Sequence, residues 1–467
     1  MSLPPVGNPL DLSSTIVAAA TAPGRGALAI VRLSGPHAHA MAQRAVDRWP
    51  AEPRVATLST VRDAAGGELD QSVVIRYDEP ASFTGEDAVE IITHGGPVVS
   101  ATVVGAFVAF GARLAAPGEF TRRAVLNGKL DILQAEATGD LVSASSRAAQ
   151  QTALRQLDGG LSRRVLALRD QLIGLEALIA YDIDFPEEDD GPITPARITD
   201  AIDQLVAALE ALLSTARVGQ LVREGAMVVL AGAPNVGKSS LFNALLGESR
   251  AIVTALPGTT RDAIEAVIDT PVLPLRLVDT AGLREAMDPV ERIGVEVSAS
   301  YVSRAAVVLA CVDGGESLAA IRTALGDDTL RAPTIVAWTK RDLYAPAEDE
   351  LLGALQSLHA VAAASVSAET GEGLGALVDE ITGAVTRGDA AIEPDAPVLT
   401  QERHRFAVAR ALDETSAFRE RWLARDVPAP VAAVHLREAV RSLEDLVGAV
   451  DVEDILDEVF RRFCVGK

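Results

Sequence analysis

The stretch Gly232-Ala233-Pro234-Asn235-Val236-Gly237-Lys238-Ser239 has the residue types and spacing, G-x-x-x-x-G-K-S, to hold the phosphates of a nucleotide. Its glycines let backbone N–H groups close around phosphate oxygens. Lys238 can reach the β- and γ-phosphates, and Ser239 can offer its hydroxyl to a magnesium ion. Asn235, Val236, Gly237 and Ser240 complete the expected contacts. The neighbours fit this chemistry. The apolar run Met227-Val228-Val229-Leu230 predicts a buried strand before the loop, and Ser240 to Leu246 predicts a helix after it, ended by Gly247. The helix N-terminus would add its partial positive charge. A chance glycine-rich turn does not bring the full spacing together with the strand and the helix.

The remaining parts of a nucleotide site follow in order. Thr254-Ala255-Leu256-Pro257-Gly258-Thr259-Thr260 is a candidate switch, in which Thr260 would close over the γ-phosphate and coordinate magnesium. Asp279-Thr280-Ala281-Gly282 follows the predicted strand Leu275 to Val278; Asp279 would hold magnesium through water and the Gly282 N–H would sense the γ-phosphate. Thr339-Lys340-Arg341-Asp342 follows the predicted strand Thr334 to Trp338. Asp342 can accept both N–H donors on the guanine edge, a pair that adenine lacks, and Ser367-Ala368-Glu369 would close over the base. The set specifies GTP. Small GTPases carry asparagine where this chain has Thr339, so one base or loop contact is expected to weaken while base choice stays with Asp342.

Ras-like enzymes orient the attacking water with a glutamine directly after Asp-x-x-Gly. Leu283 stands there and cannot. Glu291 is a nearby carboxylate; from the residues alone it is either the replacement or a surface helix charge. No arginine finger can be named. A monovalent cation could stand in for one, with Asn235, Thr254, Thr259 and the backbone of Leu256 as its oxygen ligands. Potassium-dependent hydrolysis is therefore expected.

These motifs need a chain that positions them. At 467 residues, two to four domains are expected. Residues 1–126 read as a mixed α/β domain, with strands around Thr15–Thr21, Ala27–Leu33, Val73–Tyr77 and Ala88–Thr93, and a helix from Pro97 to Ala112. Residues 127–223 read as helical, broken by the acidic run Asp182 to Pro192, most simply a solvated loop. Residues 224–387 alternate strands and helices, which predicts a mostly parallel sheet covered on both faces. Residues 388–467 open with a linker and return to helix. The fold class is thus multidomain, α/β plus all-α, with a P-loop α/β domain inserted into one helical domain. Net charge is −23, which argues against broad nucleic-acid binding by this chain alone. No apolar run reads as long enough to span a bilayer, and the N-terminus lacks a signal-peptide pattern, so a cytoplasmic protein without a membrane is expected. Two cysteines make no disulfide framework. Cys311 lies in an apolar run and reads as core. Cys464 lies in Phe463-Cys464-Val465-Gly466-Lys467, near basic residues that favour a thiolate.

Three further regions then coincide: Thr15 to Gly26; Ser82-Phe83-Thr84-Gly85-Glu86-Asp87 with His94-Gly95-Gly96; and Pro117-Gly118-Glu119-Phe120 with Lys129-Leu130-Asp131. With the terminal cysteine motif and the GTPase motifs, they closely resemble the tRNA-modification GTPase family MnmE (TrmE), over nearly the whole chain. The family usually ends Cys-Ile-Gly-Lys, and valine replaces that isoleucine here. The resemblance implies an N-terminal folate-binding domain that dimerises, a helical domain, and an inserted Ras-like GTPase domain. It implies a homodimer that joins an FAD-dependent flavoprotein partner as a heterotetramer and acts on tRNA. Together they install (carboxymethyl)aminomethyl groups at C5 of the wobble uridine, with the carbon taken from a 5-formyl or 5,10-methylene tetrahydrofolate derivative. Matched residue by residue, Arg32, Glu90, Lys129 and Lys467 fall on folate contacts; Asn235, Thr254, Leu256 and Thr259 on the K+ site; Ser239 and Thr260 on the Mg2+ ligands; and Glu291 on the catalytic glutamate. Cys464 matches the family's terminal cysteine, with covalent attack on uridine or an incidental packing or redox role as its two readings. The rival functions are a GTPase of ribosome assembly and a switch protein with a non-tRNA client.

Overall fold

The computed structural model describes residues 12–184, 195–248, 264–279, 301–325, 332–387, 396–424, 428–448 and 466. Thr254, Leu256, Thr259, Thr260, Gly282, Leu283, Glu291, Cys464 and Lys467 lie outside the described residues. The chain forms two compact units, residues 1–139 with 444–467, and residues 140–443.

The first unit is built on a sheet. Its strands are β1 (Ile16–Ala19), β2 (Leu28–Ser34), β3 (Thr57–Arg62), β4 (Glu68–Tyr77), β5 (Ala88–His94) and β6 (Arg113–Leu114), in the order β3-β4-β5-β2-β1-β6. All neighbours are antiparallel except β1 and β6. Alternation sorts the side chains. Val31, Leu33, Val74, Val89 and Ile91 enter a core with Val103 and Phe107 of α2 (Pro97–Ala109) and the small face Ala38, Ala42 and Ala45 of α1 (Ala38–Ala45). Arg32 and Glu90 stand on the other face, directly paired across β2 and β5. The sequence reading did not find β3. Its polarity is inverted: Leu58 is 62% exposed, whereas Ser59 is buried and its hydroxyl accepts the Arg48 backbone N–H at 2.8 Å. Beyond β6, α3 (Glu119–Leu126) leaves the left-handed Gly118, φ 69°, and α4 (Ile132–Ser143) follows.

The second unit holds helices and a second sheet. α5 (Arg147–Leu157), α6 (Gly160–Asp184), α7 (Pro195–Ser214) and α8 (Ala216–Glu224) come first. α6 runs through Asp184, so the first residues of the expected acidic loop are helical. The sheet order is β12-β11-β10-β7-β9-β8, where β7 is Ala226–Ala231, β8 Ile264–Ile268, β9 Leu275–Asp279, β10 Val307–Val312, β11 Thr334–Trp338 and β12 Ala362–Ser365. Only the β8–β9 pair is antiparallel. One face packs Val228, Leu230, Leu309 and Ile335 against α9 (Lys238–Glu248). The other packs Ala310, Val312, Val336 and Trp338 against Ile321 of α10 (Gly315–Leu325) and Ala354 of α11 (Glu348–Ser357). α12 (Leu374–Thr386) joins the first face through Leu377 and Ile381. α9 is described to Glu248, one residue past the expected stop at Gly247.

After the sheet come α13 (Glu402–Ala424) and α14 (Ala429–Val447). These return to the helices that precede the sheet: α7 packs on α13, Arg419 pairs with Asp203 at 2.5 Å, and Arg437 with Glu176 at 2.6 Å. Within 196–224 an 18-residue window reaches mean hydropathy 1.4, so by length and composition alone one stretch does qualify as apolar enough to cross a membrane. Here Ile198, Ile202, Leu205, Leu209 and Leu212, at helical spacing, are buried, so the apolar stripe serves a helix–helix core.

Candidate functional site

The phosphate loop spans the end of β7 and the start of α9. Gly232 has to be glycine: a Cβ there would stand 2.5 Å from the Cys311 carbonyl oxygen at the adjoining β10. Asn235 (φ 64°) and Gly237 (φ 93°) are left-handed, the alternation that turns successive backbone N–H groups into one concavity able to cradle an anion. Lys238 is 7% exposed, and its ammonium lies over the loop, donating to the carbonyl oxygens of Gly232 at 3.0 Å and Ala233 at 2.8 Å. The Ser239 hydroxyl donates to Oδ2 of Asp279 at 2.8 Å. A hydroxyl and a buried carboxylate at this separation are hard oxygen donors of the kind that magnesium prefers. The sheet brings them together, since β7 and β9 are parallel neighbours that end side by side.

The base side is equally ordered. The Thr339 hydroxyl faces the Val236 carbonyl at 2.5 Å and that of Val312 at 3.1 Å. The Thr339 side chain thus reaches the phosphate loop, and the loop contact expected to weaken is made by threonine. Lys340 donates to the Asn235 carbonyl at 2.8 Å and to Oδ2 of Asp313 at 2.6 Å. That hydrogen bond from Lys340 is the main reason the Asp313 carboxyl is held below its ordinary range. Asp313 was missed in the sequence, although it directly follows the buried run of β10. Oδ1 of Asp342 accepts the Ser367 hydroxyl at 2.6 Å, which links the base-reading carboxylate to the loop bearing Ala368 and Glu369. Gly373 lets that loop return, because a Cβ there would stand 2.3 Å from the Ser365 carbonyl oxygen. Cys311 is buried core as expected; burial pushes its thiol up to about 12, with Lys238 and Asp279 acting in opposite directions nearby.

In the N-terminal unit, Arg32 donates to Oε1 of Glu90 through Nε at 3.0 Å and Nη2 at 2.7 Å. The Tyr77 hydroxyl donates to Oε2 at 3.1 Å. Phe83 and Phe120 flank the guanidinium, with centroids 5.5 and 5.6 Å from its carbon. Phe83 and Phe120 lie in the turn motifs singled out in the sequence and Tyr77 ends a predicted strand, but nothing local joins them to Arg32; strand register and the folded-back loop do. Burial, then the Glu90 charge, raises the Tyr77 phenol. Glu90 keeps acceptor capacity on Oε2 beyond Tyr77, the kind of acceptor that the N–H groups of a pteridine need. Lys129 donates to the Pro80 carbonyl at 3.0 Å. Gly466 comes back to this unit, where a Cβ on it would stand 2.3 Å from the Ala19 carbonyl oxygen.

Behind this cluster lies a buried ionic network. Arg123 and Glu119 have fully buried side chains and pair at 3.0 Å. Arg123 also meets Glu86 at 3.1 Å, and Arg113 meets Glu119 at 2.6 Å. The Ser34 hydroxyl donates to Glu86 at 2.7 Å. This network fixes the loop that carries Phe83.

Residues 15–129 match the family model described as GTP-binding protein TrmE N-terminus, and residues 132–464 match that described as MnmE helical domain. The tRNA modification GTPase MnmE of Azoarcus sp. (strain BH72) is 44% identical over 456 residues, covering 97% of this chain and 98% of that protein. Its namesake from Aquifex aeolicus (strain VF5) is 40% identical over 453 residues, covering 97% of this chain and 99% of that protein. Among solved structures, the G domain of the T. maritima FeoB iron transporter is 27% identical and matches 34% of this chain and 98% of its own, with a TM-score of 0.27.

Proposed function

The chain belongs to the MnmE family of tRNA modification GTPases, a GTP hydrolase of tRNA modification, and from that premise we propose the rest of its activity. With an FAD-dependent partner it installs (carboxymethyl)aminomethyl groups at C5 of the wobble uridine of tRNA, drawing the carbon from a folate, with potassium-dependent GTP hydrolysis driving the cycle. It works as a homodimer. We read residues 1–126 as the folate-binding domain, 127–223 with 388–467 as the helical domain, and 224–387 as the inserted GTPase domain.

The observation that carries the nucleotide half is the 2.8 Å contact between Ser239 and Asp279 beneath a left-handed phosphate loop. Lys238 binds the β- and γ-phosphates, and Ser239 with Thr260 holds magnesium, which neutralises charge building on the phosphate oxygens. Asp342 reads guanine from a position fixed by Ser367. Glu291 orients water in place of the glutamine that Leu283 displaces, and Asn235, Thr254, Leu256 and Thr259 hold potassium. In the N-terminal unit, Glu90 accepts the pteridine N–H groups, and Arg32, Lys129 and Lys467 meet carboxylate charge. The Arg32–Glu90–Tyr77 cluster between Phe83 and Phe120 supports this reading. Cys464 is proposed as the thiolate that engages uridine.

Mass spectrometry of nucleosides from tRNA of cells lacking the gene tests the whole. Modified wobble uridines disappear, return with the wild-type gene and stay absent with Lys238→Ala. An unchanged nucleoside profile would leave a GTPase with another client, such as the ribosome. Cys464→Ser with full modification activity would remove the covalent role.

A further inference from the structure

We propose that His39, Asp78 and Asp87 form a binding site for one zinc ion in the N-terminal unit. They come from separate elements: His39 from α1, Asp78 just after β4 and Asp87 just before β5. One ligand atom from each lies within 4.8 Å of the others.

Nδ1 of His39 is 3.4 Å from Oδ2 of Asp87. Its Nε2 is 3.1 Å from the Tyr77 carbonyl oxygen and 3.9 Å from Oδ1 of Asp78. Both ring nitrogens therefore face oxygen acceptors. A neutral imidazole has one N–H, so one nitrogen directs its lone pair at an oxygen. The Tyr77 carbonyl can only accept, so Nε2 carries the N–H and the Nδ1 lone pair faces Oδ2 of Asp87, a repulsion that a cation, or a proton on Nδ1, relieves. One imidazole and two carboxylates form a donor set that zinc accepts, and the carboxylates balance its charge.

The surroundings orient the ligands. Oδ1 of Asp87 accepts the Glu79 backbone N–H at 3.0 Å, which turns Oδ2 to the ring. Trp49 braces the imidazole edge-on, with centroids 5.5 Å apart. Oδ1 of Asp78 is shielded from solvent and makes no hydrogen bond; Nε of Arg76 is 3.8 Å away, too far for one. Arg76 is the cation that competes for Asp78. Zinc bonds of about 2.0–2.1 Å place tetrahedral ligands roughly 3.3–3.4 Å apart. The Nδ1–Asp87 edge has that length already; Asp78 faces Nε2 and, 44% exposed, joins Nδ1 and Asp87 around one ion by side-chain rotation. The loop between the two aspartates carries Phe83, which lies over Arg32, and Glu86, which pairs with Arg123. Zinc here would staple that loop to α1.

Calorimetric titration of chelator-stripped, full-length protein with zinc chloride tests the site. Saturable binding is expected, weakened at least about tenfold by His39→Ala and by Asp87→Asn, and unchanged by Asp63→Asn in an exposed turn. Asp78→Asn, at a half-exposed position, gives a variant that spares the fold and should weaken binding too. Cobalt(II) in the wild-type protein should give a visible absorption band that His39→Ala removes. Zinc affinity unchanged in all three site variants would place the ion elsewhere and overturn the proposal. So would the lack of saturable binding.

Discussion

The hydroxyl of Thr339 and the carbonyl oxygen of Val236 lie 2.5 Å apart across a sequence separation of 103. The loop that begins base recognition is thereby tied to the loop that cradles the phosphates. Removing the hydroxyl leaves a buried carbonyl without that donor, a loss of about 1–2 kcal/mol. Thr339→Ala should therefore weaken GTP binding roughly 5–30-fold, and Thr339→Asn should stay close to wild type. Titration with a fluorescent GTP analogue reads both. Unchanged affinity in the alanine variant would show that the loop is held by other contacts.

Asp342 accepts from Ser367 and presents its carboxylate as an acceptor only. Asparagine at this position would offer an amide donor where guanine also offers donors. Asp342→Asn should lose GTP by at least about 100-fold, the order expected when donors and acceptors are mismatched once the base covers them, and should gain xanthosine triphosphate, whose oxygen matches the new donor. Competition binding with both nucleotides checks it; retained GTP preference would remove Asp342 from base reading.

Asn235 is left-handed at the mouth of the phosphate loop, and Leu283 cannot orient water. Hydrolysis should run faster in potassium than in sodium at equal ionic strength, and Asn235→Ala should erase the difference. Steady-state phosphate release decides it: equal rates in the two salts sink the potassium reading.

Arg123 and Glu119 pair where neither side chain has any exposure. Glu119→Ala leaves a buried void, takes the Glu119 carboxylate from Arg113 and leaves Arg123 with Glu86 alone. Breaking such a pair from one side costs about 3–5 kcal/mol. Thermal unfolding should show an early transition in the N-terminal unit, with GTP binding kept below it. A change within about 0.5 kcal/mol would mean that Glu86 alone satisfies the guanidinium.

Burial raises the Cys311 thiol from 9.0 to about 12. The folded state therefore keeps this proton where the unfolded chain gives it up. The contribution is intact below pH 9 and is lost as pH climbs from about 9 towards 12. In a Cys464→Ser background, Cys311 should resist Ellman's reagent at pH 8 until denaturant is added. Prompt labelling of the folded protein would contradict the burial.

The legibility of this chain follows from the range of its contacts. The phosphate loop, the Asp279 motif and the Asp342 motif were readable because each is a short run that follows an apolar strand, and each needs its neighbours in sequence to work. The strand β3 was not, because a buried, hydrogen-bonded Ser59 and an exposed Leu58 reverse the usual alternation.

Local spacing dictates the nucleotide chemistry, the choice of guanine, and the alternation of strands and helices that carries them, so all three are legible along the chain. Folding alone sets Thr339 against the phosphate loop, Arg32 against Glu90 between two phenyl rings with Tyr77 on the far carboxylate oxygen, and His39 beside two aspartates. Those groups are far apart along the chain. Antiparallel register and loops folded back over the sheet bring them within bonding distance, and no one-dimensional pattern records which strand lies beside which.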